Sequence, residues 1–191
     1  MTHYLITFFV LAALVWVVLL AQKASAHGGF HETGTGIVTW VADGDTMIVS
    51  GIEPKVYRAL RDHAVAAQRR SDRDLRVESR FRDRERSMLV RIGNIDAPES
   101  VHHDPTRNTA EGRAASEYVR QLMTGRKVEF TCWRIGHFGR PICSLHGGDL
   151  GPDFELGVHL VREGHAEYVD RFGHHPYWPE RYLEVSGRLA H

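Results

Sequence analysis

Two β-rich runs, residues 36–41 and 46–49, are separated only by Ala42-Asp43-Gly44-Asp45, a turn-forming stretch that ties them into a hairpin. Every later element has to be placed against that pairing. Residues 88–95 form a third strand candidate that runs into Asp96-Ala97-Pro98-Glu99. Residues 127–133 and 141–145 supply two more strands, joined by a glycine-containing loop. Residues 110–123 read as a helix, with Ala114, Ala115, Tyr118, Val119, Leu122 and Met123 on one stripe, Thr109 as its cap and Gly125 as its stop. Helical spacing returns over residues 154–164, at Leu156, Leu160 and Val161, and a last helix is expected over 180–190. Strands first, then strands mixed with helices, make an α+β chain: a small β-barrel or sheet with helices packed on it.

Residues 51–87 break this rhythm. Val56, Leu60, Ala64 and Ala67 give the first half a weak helical stripe with Pro54 in its first turn. Residues 71–86 mix charges of both signs with few apolar side chains, so a solvated helical or partly disordered insertion in the first hairpin is expected. The alternative is a basic arm that meets phosphates. The whole chain of 191 residues is neutral, with 24 Lys and Arg against 24 Asp and Glu. The insertion nevertheless carries eleven basic and seven acidic residues, while the rest of the chain from residue 27 onward is acidic, with 12 against 17. Neutrality excludes a simple polycation, and 42% hydrophobic residues exclude wholesale disorder.

The N-terminus reads as a targeting segment. Residues 5–21 are almost wholly apolar and are followed by Ala24-Ser25-Ala26, the pattern of an export signal cleaved after Ala26. The run also approaches the length that spans a bilayer, so retention as a membrane anchor is the alternative. Either way the domain faces outside the cytoplasm, secreted, periplasmic or anchored. Residues 27–35, rich in Gly and His, are expected to be a flexible lead-in to a domain over 36–191.

Chemistry concentrates at strand ends. Asp43, Asp45 and Asp96 can converge as oxygen ligands for a hard cation. Each fragment alone is equally a turn former, and Arg91 and Arg140 alone are equally surface strand residues. Together, carboxylates for a cation, two guanidiniums for an anion and the spare carboxylate of Glu99 make a set suited to phosphodiester hydrolysis.

In these residues the chain resembles the staphylococcal nuclease (thermonuclease) family. The resemblance rests on residues 36–46, then Val90-Arg91-Ile92-Gly93-Asn94-Ile95-Asp96-Ala97-Pro98-Glu99, the helix carrying Gly112, Ala115 and Tyr118, Phe138-Gly139-Arg140, and Leu160-Val161-Arg162-Glu163-Gly164-His165-Ala166. It implies a five-stranded OB-type barrel with about three helices, acting as a calcium-dependent nuclease on DNA or RNA to leave 3′-phosphates. By position, Asp45 and Asp96 would ligate Ca²⁺, the Ala97 carbonyl would add a donor, and Asp43 would act through water. Glu99 would prepare the attacking water, and Arg91 and Arg140 would grip the scissile phosphate. A monomer is expected, with membrane association through residues 5–21 if they are retained. The alternative is an inactive OB module that binds nucleic acid or protein.

The chain departs from the pattern at Phe138, where a Tyr usually precedes Gly-Arg, and at Asp170 and Phe172, near positions expected to be tyrosines. Cys132 and Cys143 lie on the two strands flanking the Arg140 loop and are expected to form a disulfide in an exported chain; a pair of buried thiols is the alternative. The pairs His102-His103 and His174-His175 read as exposed loop residues rather than metal ligands.

Overall fold

The computed structural model describes residues 29–98 and 109–187. The signal or anchor segment 1–26, Glu99, His102 and His103 lie outside them. The elements are β1 (Glu32–Asp43), β2 (Thr46–Ser50), α1 (Pro54–Arg70), α2 (Val77–Arg80), β3 (Phe81–Arg82), β4 (Ser87–Ile92) and β5 (Ile95–Asp96). They continue with α3 (Ala110–Met123), β6 (Lys127–Ile135), β7 (Pro141–His146), α4 (Leu156–Arg162), β8 (Glu167–Tyr168) and α5 (Pro179–Val185).

Five strands close on themselves. β1 pairs with β2, β2 with β4, β4 with β7, β7 with β6, and β6 returns to β1. Only β4 and β7 run parallel, in register at Arg91↔Ile142 and Ile92↔Cys143. This is a closed, mixed five-stranded barrel, consistent with an OB-fold. Alternation fills it: Met88, Val90 and Ile92 point inward from β4, Val128, Phe130 and Cys132 from β6, and Cys143 and Leu145 from β7. Two register shifts in β1, between Val38 and Trp40 and between Val41 and Asp43, bend that long strand around the closure.

The first hairpin is uninterrupted, and the insertion lies in the second, between β2 and β4, which corrects the sequence reading. The insertion is also ordered. Glu53 caps α1 by accepting the Lys55 and Val56 N–H groups, and α1 buries Tyr57, Leu60 and Ala64. Residues 71–86 were expected to be solvated, but Leu75, Val77 and Phe81 are all buried, and β3 extends the sheet beside β4. Three apolar residues spaced among charges leave no periodic trace, yet each one is inside.

Other boundaries move by a few residues. The expected lead-in is shorter, because Glu32–Thr35 already pair with Cys132–Glu129 of β6. The strand expected over 88–95 breaks at Gly93, where a Cβ would lie 2.3 Å from the Trp133 ring. Asn94 follows with φ 59°, and β5 leaves the barrel to pair with β8. The helix over 110–123 is found with Thr109 accepting from Gly112 N–H. Among the described residues the body's α-helices are α3, α4 and α5, the last ending at Val185 rather than 190, and the insertion adds α1 and α2. Among the described residues no helix is long and apolar enough to cross a membrane. His175 corrects the reading of an exposed pair: it is fully buried, whereas His174 is exposed.

Candidate functional site

Strand register gathers the charged residues at one rim of the barrel. Thr46 of β2 lies opposite Arg91 of β4, which lies opposite Ile142 of β7, so Asp45, Arg91 and Arg140 reach the same level from three separate segments. The β1–β2 turn is held there by Ile92 N–H donating to the Asp45 carbonyl at 2.8 Å. Gly44 is required, since a Cβ would sit 2.6 Å from the Ala97 Cβ. That close approach brings the Asp43–Asp45 turn against the start of the loop after β5.

Asp45 is 6% exposed and sits at the centre. Its carboxylate pairs with Arg91, accepts the Thr46 hydroxyl at 2.9 Å, and faces the Ala97 N–H at 3.4 Å. The other Arg91 nitrogen donates to Asp96 at 3.0 Å and to the Ile95 carbonyl at 3.1 Å. Arg140 donates to the Thr46 hydroxyl at 2.7 Å, so Thr46 links Arg140 to Asp45. Asp43 accepts the Asp45 N–H at 3.2 Å.

Electrostatics follow from partial burial of many charges. Burial lowers the Arg91 pKa below the usual guanidinium value, and the charge of Arg140 adds to this while Asp96 and Asp43 oppose it. Burial raises the Asp43 carboxyl, against hydrogen bonding from Thr46 and the attraction of Arg140 and Arg91. Arg140 and Arg91 repel, and the carboxylates of Asp43, Asp45 and Asp96 offset that charge at the same rim.

The structure therefore brings together Asp43, Asp45, Arg91, Asp96, Ala97 and Arg140; Glu99 falls outside the described residues. A hard divalent cation suits the donors by chemistry, since they are all oxygens and mostly carboxylate. Asp45 and Asp96 are currently joined through Arg91, and among the described residues no three His, Cys, Asp or Glu side chains are already grouped as a metal site. A cation held by Asp45 and Asp96 would have to share them with Arg91.

Cys132 and Cys143 are directly opposed on β6 and β7 and form a disulfide, with Cα atoms 4.0 Å apart. Phe172 faces solvent, with the Arg171 guanidinium 5.1 Å from its ring. Sequence reasoning missed Thr46 as a link, although it completes the Asp-Gly-Asp-Thr stretch. It also missed Arg80, which donates to the Phe138 carbonyl at 3.0 Å from within the insertion. No protein-family profile matches the chain, and no curated protein sequence matches it.

Proposed function

We propose that the protein is an exported, calcium-dependent nuclease that hydrolyses phosphodiester bonds of DNA or RNA. The observation that carries this reading is the convergence of Asp43, Asp45, Asp96, Arg91 and Arg140 on one barrel rim from segments far apart in the chain. In an OB-type barrel, the loops joining strands one to two and four to five are where oligonucleotides bind. Those loops hold Asp43 and Asp45 on one side and Arg140 on the other. The resemblance of the same residues to the staphylococcal nuclease family supports the assignment.

In this reading Arg91 and Arg140 bind the phosphate, their planar forks matching its oxygens and the charge that develops as water adds. Thr46 holds the Arg140 fork in place. Glu99 orients water and takes its proton. Asp45 and Asp96, with the Ala97 carbonyl, would hold Ca²⁺, which when bound supplies Lewis-acid stabilisation of the phosphate oxygens. The Cys132–Cys143 disulfide supports an oxidising compartment.

A second reading has one observation in its favour: Arg91 already binds both Asp45 and Asp96, as a binding module without turnover would arrange them. Incubating the chain with single-stranded DNA and with RNA separates the two. Cleavage in Ca²⁺ that stops in EGTA and is lost in Glu99→Gln supports the nuclease. Retention without cleavage sinks it and leaves the binding module.

A further inference from the structure

The insertion does not stand away from the barrel. Gly139, with φ 73°, packs so closely on it that a Cβ there would lie 2.2 Å from the Leu75 carbonyl oxygen. Arg80 donates to the Phe138 carbonyl in the same loop, one side of which ends in Arg140. The Phe138 ring is 58% exposed, with the Arg73 guanidinium 5.9 Å and that of Arg140 6.0 Å from its centre. Around it opens a cleft of about 250 Å³ lined by Arg73, Asp74, Leu75, Arg76, Arg80 and Phe138.

Arg61 is paired with Glu78 at 3.0 Å and lies 3.6 Å from Asp83. Among the described residues, no carboxylate lies within ion-pair distance of Arg73, Arg76 or Arg80, although the insertion holds seven acids. Asp74, the one acid on the wall, accepts the Arg76 backbone N–H at 2.8 Å. Burial lowers the Arg80 pKa below its ordinary value, and the charges of Arg140 and Arg76 lower it further. Three guanidiniums beside an exposed aromatic face, continuous with Arg140, match a chain that alternates phosphates and bases.

We propose that the insertion builds a second nucleic-acid subsite, in which Arg73, Arg76 and Arg80 take a phosphate next to the one held by Arg140 and Phe138 stacks the intervening unpaired base. The proposal rests on the nuclease reading for its ligand class but not on turnover. Stacking on a ring tolerates any base, and a splayed base requires a single strand, so the preferred ligand is single-stranded and of any sequence.

The test measures anisotropy of a short fluorescein-labelled oligothymidylate with the full chain in EGTA, over a salt series. Arg73→Gln combined with Arg76→Asn is the charge variant. Asn is chosen because Arg76 has φ 54°, a left-handed conformation that Asn tolerates. Affinity is expected to fall roughly tenfold, and the slope of log affinity against log salt to lessen by about 0.7, the effect of one single-strand phosphate contact. Phe138→Ala is expected to weaken binding about fivefold or more with the slope unchanged, and Phe138→Tyr to restore it. Unaltered affinity and slope in both variants, with thermal melts showing them folded, overturns the subsite. So does unaltered oligonucleotide binding accompanied by lost sedimentation on phosphatidylserine–phosphatidylcholine vesicles, which assigns the cleft to a membrane surface. Because EGTA removes hydrolysis from the assay, a chain that binds in this way but never cleaves sinks the nuclease reading alone. A wild-type chain that cleaves in Ca²⁺ but shows no contribution from these residues sinks the subsite alone.

Discussion

Two buried carboxylates, Glu155 and Asp45, are held by opposite means. Glu155 is 1% exposed and has only neutral partners: the Ser144 hydroxyl, the Val158 N–H at 2.7 Å and the Tyr182 hydroxyl at 3.0 Å. It caps α4 and ties that helix to β7 and α5. Burial raises its pKa, and hydrogen bonds from Ser144, Val158, Tyr182 and Gly157 only partly oppose that. Asp45 faces Arg91, whose second partner, Asp96, has a side chain 54% exposed. One acid is locked among neutral groups as structure. The other is balanced against a cation at an open rim, where an incoming anion or cation can compete for its partner. Burial alone therefore does not mark a site; a charged partner with a route to solvent does.

The largest expected effects test that division through activity. Arg140→Ala should lower turnover about a hundred- to a thousandfold, as loss of one positioned donor to a developing charge does. Asp96→Asn should also abolish most Ca²⁺-dependent turnover while changing stability by less than about 1 kcal/mol, since its ion pair is half in water. Urea melts alongside kinetics check both. A large stability loss in Asp96→Asn would erase the contrast with Glu155.

The rim was legible because its chemistry is concentrated in short strings. Asp-Gly-Asp-Thr and Ile-Asp-Ala-Pro each combine turn formers with charge, and β-rich runs on either side fix the strands. The helix over 110–123 was legible for the same reason, with a cap, a stripe and a stop in place. Glu155 was not. Glutamate is an unusual cap, and its partners Ser144 and Tyr182 lie 11 and 27 residues away. Gly157, where a Cβ would meet the Tyr182 hydroxyl at 2.0 Å, gives no sign in sequence of that contact. The Arg cleft was hidden for a related reason: Leu75 anchors it by touching Gly139, a pairing across 64 residues that periodicity cannot report.

Next in size is removal of the structural acid itself. Glu155→Ala should cost about 3 kcal/mol or more, because it orphans buried donors from three elements. Glu155→Gln should cost less than about 1 kcal/mol, since its carbonyl can accept from Val158 and Tyr182 while its amide donates to the Ser144 hydroxyl. If the two variants lose equal stability, Glu155 acts through its charge and the comparison fails. A similar loss, about 3 kcal/mol by loop-closure entropy, is expected on reducing Cys132–Cys143, which closes a loop with separation 11 that contains Arg140. Denaturant melts with and without dithiothreitol measure it.

The smallest effect concerns pH, and it sharpens the account of the region around Glu155. His175 stacks on Tyr182 at 4.8 Å, and its Nδ1 accepts the Tyr177 and Trp178 N–H groups at 3.2 Å each. Its Nε2 is buried with no hydrogen-bond partner among the described residues. Burial, with a smaller contribution from His146, pushes its pKa down from 6.5 to about 3. The unfolded chain therefore takes up a proton first. The stability from neutral His175 is fully present above 6.5 and is lost as pH falls toward 3, at about 1.4 kcal/mol per pH unit. Glu155 has the opposite sign: its raised pKa lets the folded state take the proton first, so its contribution is full below 4.5 and declines as pH rises through the raised value. The two oppose each other above 4.5 and below whichever is lower, 6.5 or the raised Glu155 value. Glu155→Gln should therefore show a steeper acid loss of stability than the wild type over that window, and His175→Asn, which keeps an acceptor for the two N–H groups, a shallower one. Identical pH slopes in all three proteins would mean that neither buried group titrates with folding.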